Sequence, residues 1–196
     1  MSISTRLVRQ ESELEAILQL QRQNLRQHLT ESEAAGQGFL TAEYSLEYLR
    51  RMHRAHPSII AFDGGTLAGY ALVAERSMGS GHPLLRDLID QVDQLPYRHR
   101  PLRESAYVVV GQLCVALNYR GMGLVPKLYQ RFRESLEDQY TYAITDISRA
   151  NRRSLKAHRK VGFEVIHTFL YEGSEWDIVV WDWTRGQETV VATTLA

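Results

Sequence analysis

The sequence predicts an α/β (α+β) fold built on a mixed central sheet of about seven strands. Three observations lead there. Seven short runs rich in β-branched and aromatic residues are spread along the chain. Two of them, 59–62 and 67–73, are separated only by Asp63, Gly64, Gly65 and Thr66, whose glycines can take the positive φ of a tight hairpin. Between the strands lie stretches with apolar residues at helical spacing, so strands and helices share one chain. With 196 residues, 44% of them apolar and 9% aromatic, the chain has enough apolar surface for one core, and a single domain over 1–184 is expected.

Residues 4–9 read as a short opening strand, and 11–29 as a helix carrying Leu14, Ile17, Leu18, Leu25 and Leu29. The polar, glycine-containing stretch 30–38 reads as a loop. A second amphipathic helix is expected over 42–53, with Tyr44, Leu46, Tyr48, Leu49 and Met52 on its apolar side and Pro57 stopping it. After the hairpin, 77–105 is rich in Gly, Pro and charge; only 84–95 is periodic enough for a helix, and the stretch reads as an insertion of the kind that shapes substrate sites. Residues 107–115 form a buried strand by composition, then a glycine turn, then a helix with Leu128, Phe132 and Leu136 four apart. A strand at 141–147 leads to a short basic helix, 151–160, ending at Gly162. Strands at 164–171 and 176–184, turning at Glu172, Gly173 and Ser174, complete the sheet. The tail, 185–196, ends in small apolar residues and is expected to be flexible or to contact a partner.

Lysine plus arginine and aspartate plus glutamate number 23 each, so the overall field favours neither nucleic acid nor anionic lipid. No apolar run approaches the roughly 20 residues that span a bilayer, and the opening residues lack the apolar stretch of a signal peptide. The single cysteine, Cys114, can form no internal disulfide. Together these point to a cytoplasmic location. His53 and His56 lie close in sequence but lack a third ligand, so no metal site is expected.

The turn at 120–125 is the strongest functional signal. A helix N-terminus carries free N–H groups and partial positive charge, and small residues before it let a backbone wrap an anion. Gly121 and Gly123 supply that freedom, Arg120 adds a charge, and Pro126 is tolerated in the first turn. Taken alone the pattern is also that of an ordinary strand-to-helix turn. It lacks the third glycine of the dinucleotide fingerprint and the Gly-Lys-Ser/Thr of the phosphate loop, which disfavours nicotinamide cofactors and nucleoside triphosphates.

The run VALNYRGMGL at 115–124 resembles the acetyl-CoA motif of the GNAT superfamily of N-acetyltransferases. The run NRRSLKAHRKVGF at 151–163 is similar to that family's second signature, in the same order and at the family's separation. The resemblance follows element order from Val8 to about Trp183, although only 107–163 carries specific motifs. It implies a largely antiparallel sheet with helices on both faces, splayed at an acetyl-CoA cleft. It also implies that Leu113 and Val115 meet the pantetheine and that Arg120, Gly121, Met122, Gly123, Leu124 and Val125 hold the pyrophosphate. Asn151, with Ser154 beside it, would bond the pantetheine arm across the cleft. Val125 departs from the family, which usually has Gly or Ala there. Members of the family are frequently dimers.

The implied reaction needs two proton movements. Freeing the lone pair of an ammonium of pKa about 10.4 at pH 7 costs about 4–5 kcal/mol, and a thiolate of pKa about 8.5 leaves faster with an acid nearby. His158 stands where relatives place a tyrosine or histidine, and an imidazole suits proton donation near neutrality, which makes it the candidate acid; the plain alternative is a helix histidine that only hydrogen-bonds. No base is marked: Glu75, Asp146 or a water chain are open choices. Cys114 in an apolar strand reads as core rather than as a nucleophile. Arg149, Arg152, Arg153, Lys156, Arg159 and Lys160 form either a solvated face or a partner for CoA phosphates. Glu31, Glu33, Glu43 and Glu47 are candidates for attracting a cationic amine acceptor. A non-catalytic acyl-CoA sensor is the rival reading, and a nucleic-acid module using the basic helix a third.

Overall fold

The computed structural model describes residues 3–184; the tail beyond 184 lies outside the described residues. A seven-stranded sheet forms the centre, in the order β1 (Ser4–Leu7), β2 (Ile59–Asp63), β3 (Thr66–Ala74), β6 (Tyr107–Val115), β7 (Tyr142–Ser148), β9 (Ser174–Asp182) and β8 (Glu164–Tyr171). All neighbours are antiparallel except β6 and β7, which the crossover helix α5 (Leu124–Leu136) joins in parallel. A small hairpin, β4 (Pro96–Tyr97) with β5 (Arg100–Pro101), stands apart.

Strand side chains alternate between two cores. One face, with Ile60, Tyr70, Leu72, Val109, Ile144 and Val180, is covered by α1 (Glu11–Arg22), α3 (Leu46–Ala55) and α4 (Pro83–Gln94). The other, with Ile59, Ala71, Val73, Val108, Ala143 and Val179, is covered by α5 and α6 (Arg152–Val161). The four-residue spacing of Leu124, Leu128, Phe132 and Leu136 puts all four side chains on one stripe of α5, and each is buried there. Burying a side chain such as Phe132 contributes about 1.5–3 kcal/mol.

Three differences from the sequence expectation occur up to the start of α3. The first helix ends at Arg22, not 29, because the chain turns out to pair Leu25 with Leu40: Leu40 N–H donates to Asn24 O and Arg26 N–H to Leu40 O, both at 2.8 Å. The stretch read as a loop contains α2 (Glu31–Gln37), started by a reciprocal cap in which Thr30 accepts from Glu33 N–H and Glu33 accepts from Thr30 N–H. The third helix begins at Leu46, capped by Ser45, so residues 38–44 form an extended strap instead of its first turn. No helix among the described residues is long and apolar enough to cross a membrane.

Candidate active site at the fork between β6 and β7

The parallel pairing of β6 with β7 lasts only three residue pairs, Tyr107–Tyr142, Val108–Ala143 and Val109–Ile144. Beyond them β6 stays with β3 as far as Val115, while β7 stays with β9 as far as Ser148. The sheet therefore forks, as expected. Thr145 holds the crotch by donating its hydroxyl to Val110 O at 3.0 Å. Ala116 N–H donates to Ala68 O on the β3 side, so by alternation the main chain of Leu113 and Val115 faces into the fork.

A cleft of about 630 Å³ runs from the fork to the start of α5. Nine of the ten residues expected to hold a cofactor line it: Leu113, Val115, Arg120, Gly121, Gly123, Leu124, Val125, Asn151 and Ser154. The tenth, Met122, is 57% exposed and lies outside the lining. Gly121 and Gly123 have φ of 85° and 72°, and Cβ atoms built there would meet no protein atom within 4 Å. These glycines serve the backbone path and leave open space above it. No side chain caps the N-terminus of α5, so its first-turn N–H groups are free for an anion. Val125, the departure from the family pattern, is half-buried and packs against the core beneath α5. Arg120, Arg152, Arg153, Lys156 and Lys160 border the cleft, and no carboxylate does. In a chain of zero net charge this is a strongly polarised wall.

Two of the residues expected to hold a cofactor, Arg120 and Asn151, carry structural duties that the sequence did not suggest. The guanidinium of Arg120 donates to Val115 O, Gln37 O and Gln37 Oε1, each at 3.0 Å, and to Asn24 Oδ1 at 2.5 Å. It ties the glycine turn to α2 and the end of α1 rather than reaching outward. All these partners are neutral, so its charge is left uncompensated beside the cleft, although burial lowers its pKa somewhat. Asn151 caps α6 by accepting from Ser154 N–H at 3.2 Å, and its Nδ2 donates to Phe39 O at 3.0 Å. The strap crosses close by: a Cβ on Gly38 would come within 2.9 Å of Asn151 Oδ1.

His158, the candidate acid, lines the inner pocket that also holds Asp146. It is 4% exposed, and both ring nitrogens are engaged: Nδ1 lies 2.9 Å from Ser154 O, which fixes the proton on Nδ1, and Nε2 accepts from the Tyr129 hydroxyl at 2.6 Å. Burial pushes its pKa down to about 4. Burial thus favours the uncharged imidazole, which joins α5 to α6 through Tyr129.

On the far side of the fork lies an inner pocket of about 100 Å³, sharing Phe39, Leu40, Leu113, Asn151 and Ser154 with the large cleft. Its walls include Tyr44, Leu84, Leu85, Leu88 and Trp176, and its one carboxylate is Asp146. Burial pushes that carboxyl up to about 7. Of the other candidates, Glu75 borders neither cavity and instead meets His56 Nε2 at 3.2 Å. Cys114 is 5% exposed and its thiol is pushed up to about 12, so it is inert core at the cleft's edge. Glu33 is spent on capping α2, and Glu43 and Glu47 border neither cavity. Asn24, Gln37 and Tyr129 take part through contacts across the chain and carry no local signal in the sequence.

Comparison with known proteins fits this geometry. The family model described as "Acetyltransferase (GNAT) family" matches residues 22–163. No curated protein sequence matches the chain. Among solved structures it is similar to a GNAT-family acetyltransferase from Streptococcus agalactiae (16% identity, 92% of this chain and 95% of that one, TM-score 0.64). It is also similar to yncA from Salmonella typhimurium, solved with its cofactor acetyl-CoA (14%, 93% and 94%, TM-score 0.61), and to an N-acetyltransferase from Staphylococcus aureus (17%, 93% and 99%, TM-score 0.61). At these identities the likeness establishes the fold.

Proposed function

This chain belongs to the GNAT acetyltransferase family, whose cosubstrate is acetyl-CoA, and from that premise we propose that it acetylates a primary amine by direct attack within a ternary complex. The observation that carries the reading is the fork itself, where a basic, carboxylate-free cleft meets a small pocket holding a single carboxylate. Bound acetyl-CoA supplies an activated acyl group. The residues present fit it: an uncapped α5 N-terminus with open space over two glycines suits a pyrophosphate, and the α6 cations suit the remaining phosphate. The fork-facing main chain of Leu113 and the N–H of Val115, whose carbonyl already accepts from Arg120, suit an amide-bearing arm.

Asp146 is the proposed base. A carboxyl near 7 is about half ionised at neutral pH, so it can take the proton of an incoming ammonium. Holding that proton it is an acid stronger than a thiol near 8.5 and can return it to the departing sulfur; ionised again, it can take the second proton that the acylated nitrogen sheds and pass it to water. His158 and Tyr129 are proposed as a brace that sets the spacing of α5 and α6. A cytoplasmic location and a homodimer complete the reading; sedimentation of the purified chain tests the second.

Initial-rate kinetics with both substrates varied test the mechanism. Intersecting double-reciprocal lines are expected for a ternary complex, and parallel lines would indicate an acyl-enzyme and contradict direct attack. Acetyl-CoA binding without turnover on any amine would favour the sensor reading.

A further inference from the structure

The strands β6 and β7 part at a definite bond. Tyr142 N–H donates to Ala106 O at 3.4 Å, so along the parallel ladder the main chain of Val108 and Val110 also faces β7. After Val109 pairs with Ile144, the next bond of the ladder would run from Asp146 N–H to Val110 O, but the pairing stops one step short of it. Val110 O accepts from the Thr145 hydroxyl at 3.0 Å, and the Asp146 N–H turns back to its own carboxylate. Thr145 is 8% exposed, so its side chain takes the place of a main-chain donor where water cannot readily replace either.

One residue further on, β6 bulges. Against β3, Val110 pairs with Val73 and Gln112 with Leu72, so Gly111 is passed over. The bulge shifts the alternation by one residue, which is why Leu113 and Val115 turn their main chain to the fork on the side where Val110 faced β7. The carbonyl of Gly111 accepts from the Tyr44 hydroxyl at 2.9 Å. Two successive carbonyls at the crotch are thus held by side-chain hydroxyls, one from β7 and one from the strap. Thr145, Tyr44 and Asp146 all line the inner pocket.

We propose that Thr145 is a positioning residue of acetyl transfer: its hydroxyl takes the Val110 carbonyl in place of the Asp146 main chain, which ends the ladder and leaves Asp146 turned into the pocket. With valine at this position Val110 O loses its donor, and the ladder's own donor for it is the Asp146 N–H. Drawn into that bond, the N–H no longer holds the carboxylate down. The proposal rests on the reading of Asp146 as the base. The other titratable groups around Asp146 ionise elsewhere, since burial holds the Tyr44 and Tyr171 phenols above their ordinary value and the His158 imidazole at about 4. A change of rate near pH 7 therefore reports on Asp146.

The test compares Thr145→Val, which removes the donor at nearly the same shape, with Thr145→Ser, which keeps it, each in the wild-type and the Asp146→Asn backgrounds. Thr145→Val is expected to lower kcat by about tenfold and to move the break of the pH–rate profile upward from about 7, while acetyl-CoA affinity by calorimetry stays within about threefold. Thr145→Ser is expected to restore both the rate and the break. In the Asp146→Asn background Thr145→Val should cost less than about twofold more, because its effect runs through the missing carboxylate. An unmoved break, a loss of affinity as large as the loss of kcat, or no rescue by serine would mark a purely structural hydroxyl and overturn the proposal. Hydrogen exchange of the wild-type protein tests the same point without a variant: the Asp146 amide should exchange faster than that of Ile144, which the ladder holds, and equal protection of the two would overturn the proposal. If Asp146→Asn alone keeps wild-type turnover, the base reading fails and the proposal falls with it, an outcome distinct from a silent Thr145→Val beside an inactive Asp146→Asn, which overturns the proposal alone.

Discussion

Replacing Asp146 by Asn keeps the side chain's size and removes its charge, which separates chemistry from folding. The carboxyl's ordinary value of 3.8 rises to about 7 in the folded chain. The folded state therefore holds the proton more tightly than the unfolded chain, and stability falls as pH rises from about 4 to about 7, then stays level. Fully expressed, a difference of that size is worth about 4 kcal/mol at 1.4 kcal/mol per tenfold step. The carboxylate borders an open pocket and is half-buried, so water screens much of this, and about 1–2 kcal/mol is the expected cost. Asp146→Asn should then match wild type in melting temperature at pH 4 and exceed it by about 2–8 °C at pH 8. It should also lose about 10²–10⁴ in kcat/KM, while the wild-type profile rises with unit slope up to a pH of about 7 and levels off. Thermal melts at the two pH values and a pH–rate series measure both. A variant that keeps wild-type turnover, or that gains no stability at pH 8, would refute the assignment.

Other consequences are read more directly. Because burial holds the His158 imidazole down at about 4, the unfolded chain takes up that proton first as pH falls below about 6.5; urea titrations should show up to about 3 kcal/mol of stability lost between pH 6.5 and 4, a slope absent in His158→Phe. Gly123→Ala forces an L-residue to a φ of 72°, costing about 1–2 kcal/mol in denaturant melts, and sets a methyl in the open space over the turn, so acetyl-CoA affinity measured by calorimetry should fall as well. Arg120→Met cuts four hydrogen bonds, one to Val115 at the end of β6, two to Gln37 and one to Asn24, and removes an uncompensated charge. Its acetyl-CoA KM should rise by about tenfold or more, given about 1.5–3 kcal/mol for bonds to a charged group.

What the sequence made legible follows from how local each cause is. The strand 107–115 was bounded correctly, because continuous apolarity and a glycine turn are features of adjacent residues. The short helix Glu31–Gln37 was missed although Thr30 and Glu33 spell a capping box; with few apolar residues it offers no periodicity to notice. The hairpin at 96–101 turns through Arg98 and His99 at positive φ without a glycine, and so carries no turn signature. At the site, lining residues were recognisable from the motifs, but their hydrogen-bond commitments were not. Arg120 bonds to residues 83 and 96 positions away, Asn151 to one 112 positions away, and His158 to a tyrosine on another helix. Each partner exists only once the strap and the two helices have packed, which is why the bond between His158 and Tyr129 could not be read from the sequence. Glu75 and Asp146 were indistinguishable as letters; the fork places only the second in a pocket.

The most direct test of the account is a paired assay of one reaction mixture, with free CoA thiol and acetylated amine quantified together against time for a linear primary amine. One CoA released for each N-acetylated product, with no release when the amine is left out, is the result expected of direct transfer at the fork. Saturable acetyl-CoA binding without any acetylated product from any primary amine would contradict it.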